Sequence, residues 1–232
     1  MLFRSQTRLL AMEAFPEALQ TVSRGQLRLA VNADSLGTWV LPALAPWMRE
    51  HAVMLEFVVD DQTQTPIWLR NGEVIGCIGS VSAPATGCCV VPLGEMPYVC
   101  VASPEFARCH FPNGLDRAAA SRAPALVFNR RDALLAEHLR RCLDIDEPRF
   151  PHHFVPAFEA YLQATLLGYG YGMLPLAQCG NELAAGSLID VTPDVAVAIP
   201  LYWHCWPLDS ALIGSLTRAL VAGATAALRP IE

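Results

Sequence analysis

LRLAVNADSLGTWVLPAL, residues 27–44, is the stretch that decides the fold. Its apolar start, residues 27–31, predicts a buried strand, and after four small or polar residues the apolar side chains return at the spacing of one helix face. Asp34 or Ser35 is a suitable N-cap, because its side-chain oxygen can accept an amide hydrogen from the first turn. A strand that leads into a capped helix favours binding of a carboxylate or another anion. An ordinary βα turn is the alternative interpretation.

Length and charge limit the possible functions. The chain has 232 residues, which is room for one large domain or two small ones. Its formal net charge is -6, with only 16 Lys and Arg residues. Gripping a phosphate backbone requires a clustered basic face, so this chain is a poor candidate to bind nucleic acid by itself.

Two long uncharged windows raise the question of a membrane span, since hydrophobic residues make up 53% of the chain. They run from Val74 to Gly94 and from Ala160 to Asn181, and Gly and Pro interrupt both of them. Such interruptions favour strands and turns of a packed core over a lipid-facing helix. The first residues also lack the apolar core and cleavage site of a signal peptide. We therefore expect a cytoplasmic protein with no membrane partner.

The eight cysteines include no C-x-x-C pair. The neighbours Cys109-His110 and His204-Cys205 do not have the spacing of zinc ligands, which are normally separated by two or more residues. We expect buried thiols that pack as small hydrophobic groups, with no disulfide framework, no metal site and no cofactor.

The residues after the opening unit repeat the order strand, helix, strand. Residues 53–59 and 74–78 are predicted strands, a helix begins near Thr65, and polar residues follow each strand. Ligands of parallel sheets bind at the carboxyl ends of the strands. This rule places five residues around one crevice: Asp34, Ser35, Asp61, Gly79 and Ser80.

Further along the chain, residues 90–93 and 98–102 are predicted as two strands, and Ser103 as the cap of a helix. A second α/β set follows, with Asn129 after the strand 124–128 and Glu159 at the start of the helix 158–167. A strand at 199–203 returns to the first set, and an amphipathic helix at 210–228 closes the chain. Two half-domains joined by two crossing strands predict a small-molecule cleft that closes by hinge motion.

Several motifs resemble, in order and spacing, the effector-binding region of LysR-type transcriptional regulators, in the branch that controls basic amino-acid export. They are VNADSLGTWVLPALAP (31–46), DDQTQT (60–65), LRNGEVIGCI (69–78), FPNG (111–114), VFNRRDAL (127–134), GSLIDVTP (186–193) and LYWHCW (201–206). The resemblance covers about residues 26–232. The winged helix-turn-helix that precedes this region in the family is absent, so DNA contact is expected only through that missing segment.

The resemblance implies a two-lobed α/β domain of the type II periplasmic-binding-protein-like class. Residues 1–24 would be part of an amphipathic linker helix through which protomers pair as a homodimer or tetramer. Residues 25–102 and 203–232 would form lobe I, and residues 103–202 lobe II. The implied effector is lysine or arginine, bound in the cleft to control transcription, with an amino-acid exporter gene as the expected target.

Eight residues are the candidate effector ligands: Asp34, Ser35, Leu36, Asp61, Gly79, Ser80, Asn129 and Glu159. The start of the helix at Ser35 would hold the α-carboxylate, while Asp34 points away or meets the α-ammonium group. Asp61 and Glu159 would bind the cationic tail through charge-assisted hydrogen bonds.

Each candidate also has a structural explanation. Asp61 can cap the following helix, Asn129 can be a turn residue, Gly79-Ser80 can be a tight turn, and Glu159 suits a helix start through the dipole alone. The candidate cleft walls are Trp39, Phe128, Phe158 and Trp203, of which the tryptophans have the core as their alternative. The pairs Arg130-Arg131 and His152-His153 are interpreted as solvated surface.

Two other functions fit parts of the sequence. A solute-binding protein for amino-acid transport uses the same fold, but it needs export, and eight unpaired cysteines disfavour an oxidising compartment. An enzyme would need a nucleophile with a histidine base beside it, and no G-x-S-x-G motif is present. We therefore expect a sensor and not an enzyme.

Overall fold

The structure, a computed structural model, describes residues 25–60, 64–84, 86–193, 195, 197–207 and 210–231. The predicted linker helix within residues 1–24 and the candidate ligand Asp61 lie outside the described residues. The chain divides into two compact units. Unit 1 comprises the described residues of Met1–Glu95 and Pro200–Glu232, and unit 2 comprises those of Met96–Ile199. Both divisions fall inside strands, whereas the sequence predicts that lobe I ends at residue 102 and resumes at residue 203.

Helices and strands alternate along most of the chain. The first elements are β1 (Gln26–Val31), α1 (Ala33–Ser35, Leu36–Val40 and Leu41–Glu50), β2 (Met54–Val59), α2 (Thr65–Arg70), β3 (Gly76–Gly79) and β4 (Cys89–Ala102). There follow α3 (Pro104–His110), α4 (Arg117–Arg122), β5 (Ala125–Val127), α5 (Leu134–Leu143), β6 (His152–Phe154) and α6 (Phe158–Leu166). The last are β7 (Gly172–Pro175), α7 (Leu176–Ala185), β8 (Ile189–Asp190), β9 (Val197–Cys205) and α8 (Ala211–Ala227).

The sheet of unit 1 is built around β1. This strand pairs in parallel with β2 on one side and with β3 on the other, and β9 runs antiparallel to β3. Leu27, Leu29 and Val31 are at most 1% exposed, as the apolar run predicts. Trp203 of β9 lies directly against Gly76 of β3, where even a Cβ atom would overlap its indole ring. The α/β class predicted from the sequence is confirmed.

The prediction of two separate strands within residues 90–102 is wrong, because β4 is a single strand of 14 residues. Gly94, at a φ of +141°, keeps the strand continuous where a side chain would collide with Leu228 and Arg229. Next to it, Glu95 and Arg229 exchange two backbone hydrogen bonds of 2.7 and 3.0 Å. The hydrogen bonds to Arg229, far along the chain, therefore keep β4 extended at the point where the local sequence predicts a break between two strands.

Unit 2 contains two sets of paired strands. β4 pairs antiparallel with β7 and β8, and β5 pairs in parallel with β6. Ser103 caps α3 by accepting a hydrogen bond from the amide of Phe106, as predicted. One core cluster joins the elements of the unit, and its members are Val101, Leu126, Tyr161, Ala164, Leu174, Cys179 and Leu188. The helices α4 and α7 were not predicted.

The tryptophans are distributed unevenly. All five, Trp39, Trp47, Trp68, Trp203 and Trp206, belong to unit 1, and four of them are at most 5% exposed. Within the described ranges, no helix is long and apolar enough to cross a membrane.

Candidate functional site

The carboxyl ends of the parallel strands of unit 1 carry most of the predicted ligands. Residues 32–35 follow β1, Asp60 follows β2, and Gly79 ends β3 with Ser80 after it; we call these residues the strand-end edge. The amide of Asp60 donates to the carbonyl of Val31 at 3.3 Å, which ties the first two strand ends together. The structure thus brings Asp34, Ser35, Gly79 and Ser80 to one edge, as the order of the strands predicts.

The helix after β1 begins earlier than predicted. Asn32, and not Asp34 or Ser35, is the residue before the first turn, and its carbonyl accepts a hydrogen bond from Leu36 at 3.1 Å. Its side chain makes no capping hydrogen bond. The predicted N-cap is therefore wrong: Asn32 takes an extended conformation directly after the strand, so Asp34 and Ser35 lie inside the first turn.

Three buried polar groups at the start of α1 have no hydrogen-bond partner in the described part of the chain: Asn32 Oδ1, Ser35 Oγ and Trp39 Nε1. Ser35 is 0% exposed, and Asn32 and Trp39 are each 4% exposed. Buried polar groups are nearly always paired, and an unpaired one costs about 1–3 kcal/mol. The first-turn amides of a helix also lack intrahelical partners. The start of α1 therefore combines acceptors and donors that a small polar ligand can satisfy.

The second turn of α1 is wider than an α-helix. Residues Leu36–Val40 form a π-helical segment, just before Pro42. Proline has no amide hydrogen and its ring collides with the carbonyl four residues earlier, so a wider turn relieves the clash. Thr38 Oγ1 donates to the carbonyl of Asp34 at 2.5 Å and occupies an acceptor of this turn. Leu36, a predicted ligand, lies half-buried in the same segment.

The end of β3 is fixed from two sides. The hydroxyl of Thr65, the buried first residue of α2, donates to the carbonyl of Ile78 at 2.8 Å. Gly79 is buried and pairs with Tyr202, while Ser80 is half-buried. Nε2 of His204 donates to the carbonyl of Val81 at 2.8 Å. Burial lowers the pKa of His204, so this ring is neutral near pH 7.

Unit 2 places its predicted ligands at its own strand ends. Asn129 follows β5, Glu159 lies in the first turn of α6 after β6, and the amide of Val155 donates to the carbonyl of Val127 at 3.0 Å. Oδ1 of Asn129 accepts a hydrogen bond from the amide of Arg131 at 2.8 Å, so the turn role weighed from the sequence is present. Glu159 is exposed.

The four aromatic residues predicted to line a cleft fall into two groups. Trp203 is 0% exposed and its Nε1 donates to Thr217 Oγ1 at 3.0 Å, and Trp39 is 4% exposed. Trp203 therefore belongs to the core of unit 1, where its ring packs against Gly76, and Trp39 of α1 is buried. Phe128 and Phe158 are half-buried in unit 2, where the carbonyl of Phe158 accepts a hydrogen bond from Gln178 Nε2 at 2.8 Å.

The profile of the LysR substrate binding domain matches residues 20–225. The chain belongs to the LysR family. The HTH-type transcriptional regulator ArgP of Aeromonas salmonicida is 38% identical over 221 residues, which is 95% of this chain and 73% of that protein. Its counterpart in Pectobacterium carotovorum is 40% identical over 203 residues, or 88% of this chain and 68% of that protein.

Solved structures of LysR-family proteins have the same fold. ArgP of Mycobacterium tuberculosis has a TM-score of 0.85 at 35% identity, covering 97% of this chain and 78% of that one. Full-length LysG of Corynebacterium glutamicum with bound effector Arg has a TM-score of 0.82 at 30% identity, covering 99% of this chain and 76% of that one. The chain thus has the periplasmic-binding-protein-like fold of LysR regulatory domains. Since these relatives are transcriptional regulators, they favour a regulator over a solute-binding protein or an enzyme.

Sequence reasoning missed two residues of this candidate site. The predicted ligands do not include Asn32, which directly follows the strand, and the sequence pattern indicates for Thr65 only the start of a helix. For Asn32 the available signal was its position directly after the strand, and for Thr65 it was a hydroxyl side chain at the first residue of a helix.

The eight cysteines are free thiols. Burial raises the pKa of Cys77 and of Cys179 to about 12, so these thiols are protonated and unreactive near neutral pH. Across the described residues, no three His, Cys, Asp or Glu side chains are grouped so that they could hold a metal ion.

Proposed function

We propose that the chain is the effector-sensing part of a LysR-type regulator and that its effector is a basic amino acid, lysine or arginine. The observation that carries this proposal is the set of unpaired buried groups at the start of α1: Asn32 Oδ1, Ser35 Oγ and Trp39 Nε1. LysG of Corynebacterium glutamicum, a relative at 30% identity, has been solved with bound arginine, which supports this class of ligand.

The start of α1 suits the two charged groups that every free amino acid carries. The hydroxyl of Ser35 and the first-turn amides can donate to an α-carboxylate, and the helix dipole favours that negative charge. Oδ1 of Asn32 can accept a hydrogen bond from an α-ammonium group. Since the carboxylate of Asp34 would repel an anion, we expect it to face away from the α-carboxylate or to meet the ammonium group.

The cationic tail requires an anion. Asp61 and Glu159 stay our predicted partners, with Asn129 as a further polar ligand. In a partly dry site, a charge-assisted hydrogen bond contributes roughly 1.5–3 kcal/mol. Replacing Glu159 with Gln should therefore weaken arginine binding roughly tenfold or more and leave the affinity for citrulline, its neutral analogue, unchanged.

Titration calorimetry with arginine, lysine and citrulline tests the ligand class. We expect the two cations to bind and citrulline to bind much more weakly. Ser35→Ala should weaken arginine binding roughly tenfold or more. Ser121→Ala, which changes an exposed serine of α4, is the matched control and should bind as the unchanged chain does. Preference for citrulline, or equal affinities of the two variants, would reject the proposal.

The regulatory role needs a DNA-reading segment and pairing of protomers. We propose that a winged helix-turn-helix preceding this sequence contacts DNA in the cytoplasm, that the protein works as a homodimer or tetramer, and that an amino-acid exporter gene is its target. Transcript levels in cells with and without the gene, before and after arginine addition, test this. If the exporter transcript level changes neither on deletion of the gene nor on addition of arginine, the proposed target is wrong.

A further inference from the structure

Unit 2 contains a cavity of about 410 Å³ beside β6, and of its lining residues only Asn129 has a role above. It is lined by Val127, Asn129, Arg130, Asp132, Pro148, Arg149, Phe150, His152 and Phe154. Its volume lies in the range of small-molecule sites, about 300–1,000 Å³. β6 pairs in parallel with β5, and residues of both strands line the cavity.

One wall of the cavity is a row of three rings, Phe150, His152 and Phe154, which we call the aromatic strip. Alternate residues of an extended chain point to the same face, so these three side chains lie side by side. The ring centroids of Phe150 and His152 are 6.0 Å apart, and those of His152 and Phe154 are 4.8 Å apart. Phe154 is nevertheless 40% exposed, which leaves apolar ring surface for a further ring.

Most polar groups of the cavity are positively charged hydrogen-bond donors. The guanidinium of Arg130 lies 5.1 Å from the ring centroid of Phe154, and it forms no ion pair within the described part of the chain. Arg149 reaches Glu147 at 3.4 Å, but both side chains are more than 80% exposed, so this pair is weak.

The single carboxylate that lines the cavity is already engaged. Oδ2 of Asp132 accepts a hydrogen bond from the amide of Phe128 at 2.9 Å, and Oδ1 accepts one from the amide of Leu134 at 3.0 Å. These bonds direct the negative charge of Asp132 toward the backbone. The groups left for a second ligand are two guanidiniums and the aromatic strip.

We propose that this cavity binds a planar aromatic carboxylate, with its ring against the aromatic strip and its carboxylate on Arg130 and Arg149. Arginine forms paired hydrogen bonds with a carboxylate, and its planar group stacks on rings. A cationic amino acid would place its charged tail against two guanidiniums, so it does not suit this cavity. The proposal is independent of the function proposed for the start of α1.

Titration calorimetry with 2-naphthoate tests the proposal. Two analogues with the same fused two-ring skeleton serve as comparisons. The first is 2-naphthylmethylamine, which reverses the charge, and the second is decahydro-2-naphthoate, which removes the aromaticity. We expect 2-naphthoate to bind most tightly, the saturated acid more weakly and the amine not at all.

The variants locate the binding site. Arg130→Gln and Phe154→Leu should each weaken 2-naphthoate binding, the first roughly tenfold. Arg108→Gln changes an exposed arginine of α3 elsewhere in unit 2 and should leave the affinity unchanged. Arginine at saturation should not compete with 2-naphthoate.

Absence of 2-naphthoate binding would overturn the proposal, as would equal binding of the amine. Equal affinities of the Arg130 and Arg108 variants would also overturn it, because the carboxylate would then be held elsewhere. A failure to bind arginine would count against the effector proposal only.

Discussion

Replacing Ser35 with Ala should have opposite effects on stability and on ligand binding. The hydroxyl of Ser35 is 0% exposed and has no partner within the described residues. Folding therefore removes this group from water without a compensating hydrogen bond. Alanine keeps the Cβ atom and the helical conformation and removes only the oxygen.

The magnitude follows from the cost of an unpaired buried polar group, about 1–3 kcal/mol. Removing the hydroxyl should raise the free energy of unfolding of the unliganded protein by about 1 kcal/mol or more. For a chain of this size, 1 kcal/mol shifts the melting temperature by about 2–4 °C. The same change should weaken arginine binding, because the α-carboxylate loses a donor.

Differential scanning calorimetry without ligand measures this difference. Ser215→Ala is a matched control in unit 1, where the hydroxyl accepts from Trp47 Nε1 at 2.8 Å and donates to the carbonyl of Leu212 at 2.8 Å. There the same substitution leaves a tryptophan donor unpaired, so it should lower the melting temperature by several degrees.

The reasoning fails if the unliganded Ser35→Ala protein melts below the unchanged chain to the same extent as the Ser215→Ala control. That result would mean that the Ser35 hydroxyl is paired in the folded protein. The unpaired groups at the start of α1 would then no longer support a ligand site there.

Three further predictions concern backbone, charge and thiol chemistry. Gly94→Ala should destabilise the protein by several kcal/mol because its Cβ collides with Leu228 and Arg229, whereas Gly114→Ala, also at positive φ but with no atom within 4 Å, should cost only about 1 kcal/mol in chemical denaturation. Burial lowers the pKa of His138 below its ordinary 6.5, so the unfolded chain takes up the proton first; the free energy of unfolding should fall as the pH drops from 7.5 to 5.5, and less steeply in His138→Gln. A pH dependence that is identical in both proteins would contradict this assignment. With a thiol reagent at pH 8, Cys89 and Cys109 should react rapidly in the folded protein and the four buried cysteines only on unfolding, which mass spectrometry of the labelled peptides resolves.

Elements with strong local patterns were predictable from the sequence. The helices α6 (Phe158–Leu166) and α8 (Ala211–Ala227) agree to within one residue with the predicted bounds 158–167 and 210–228, and Ser103 caps the predicted helix. Each of these is specified by residues close together in the chain. The middle of β4 was not predictable in this way, because its continuity depends on pairing with Arg229, far along the sequence.

The candidate site was predictable only in part, for a similar reason. Alternation of strands and helices is sufficient to bring Ser35 and Ser80 to the same edge of unit 1. Whether the Ser35 hydroxyl finds a partner depends on how the neighbouring side chains pack. Trp203 shows the same limit: an aromatic residue near a strand end suits a cleft wall or a core equally, and only the packing against Gly76 decides between them.

Because all five tryptophans lie in unit 1, only unit 1 contributes tryptophan fluorescence. Excitation at the red edge of indole absorption monitors the surroundings of Trp39, four residues from Ser35, together with the other four indoles, and excites nothing in unit 2. Quenching or a spectral shift on adding arginine would thus locate the event in unit 1. Arginine does not absorb at this wavelength, so a change in the emission would report the surroundings of these indoles and not absorption by the ligand.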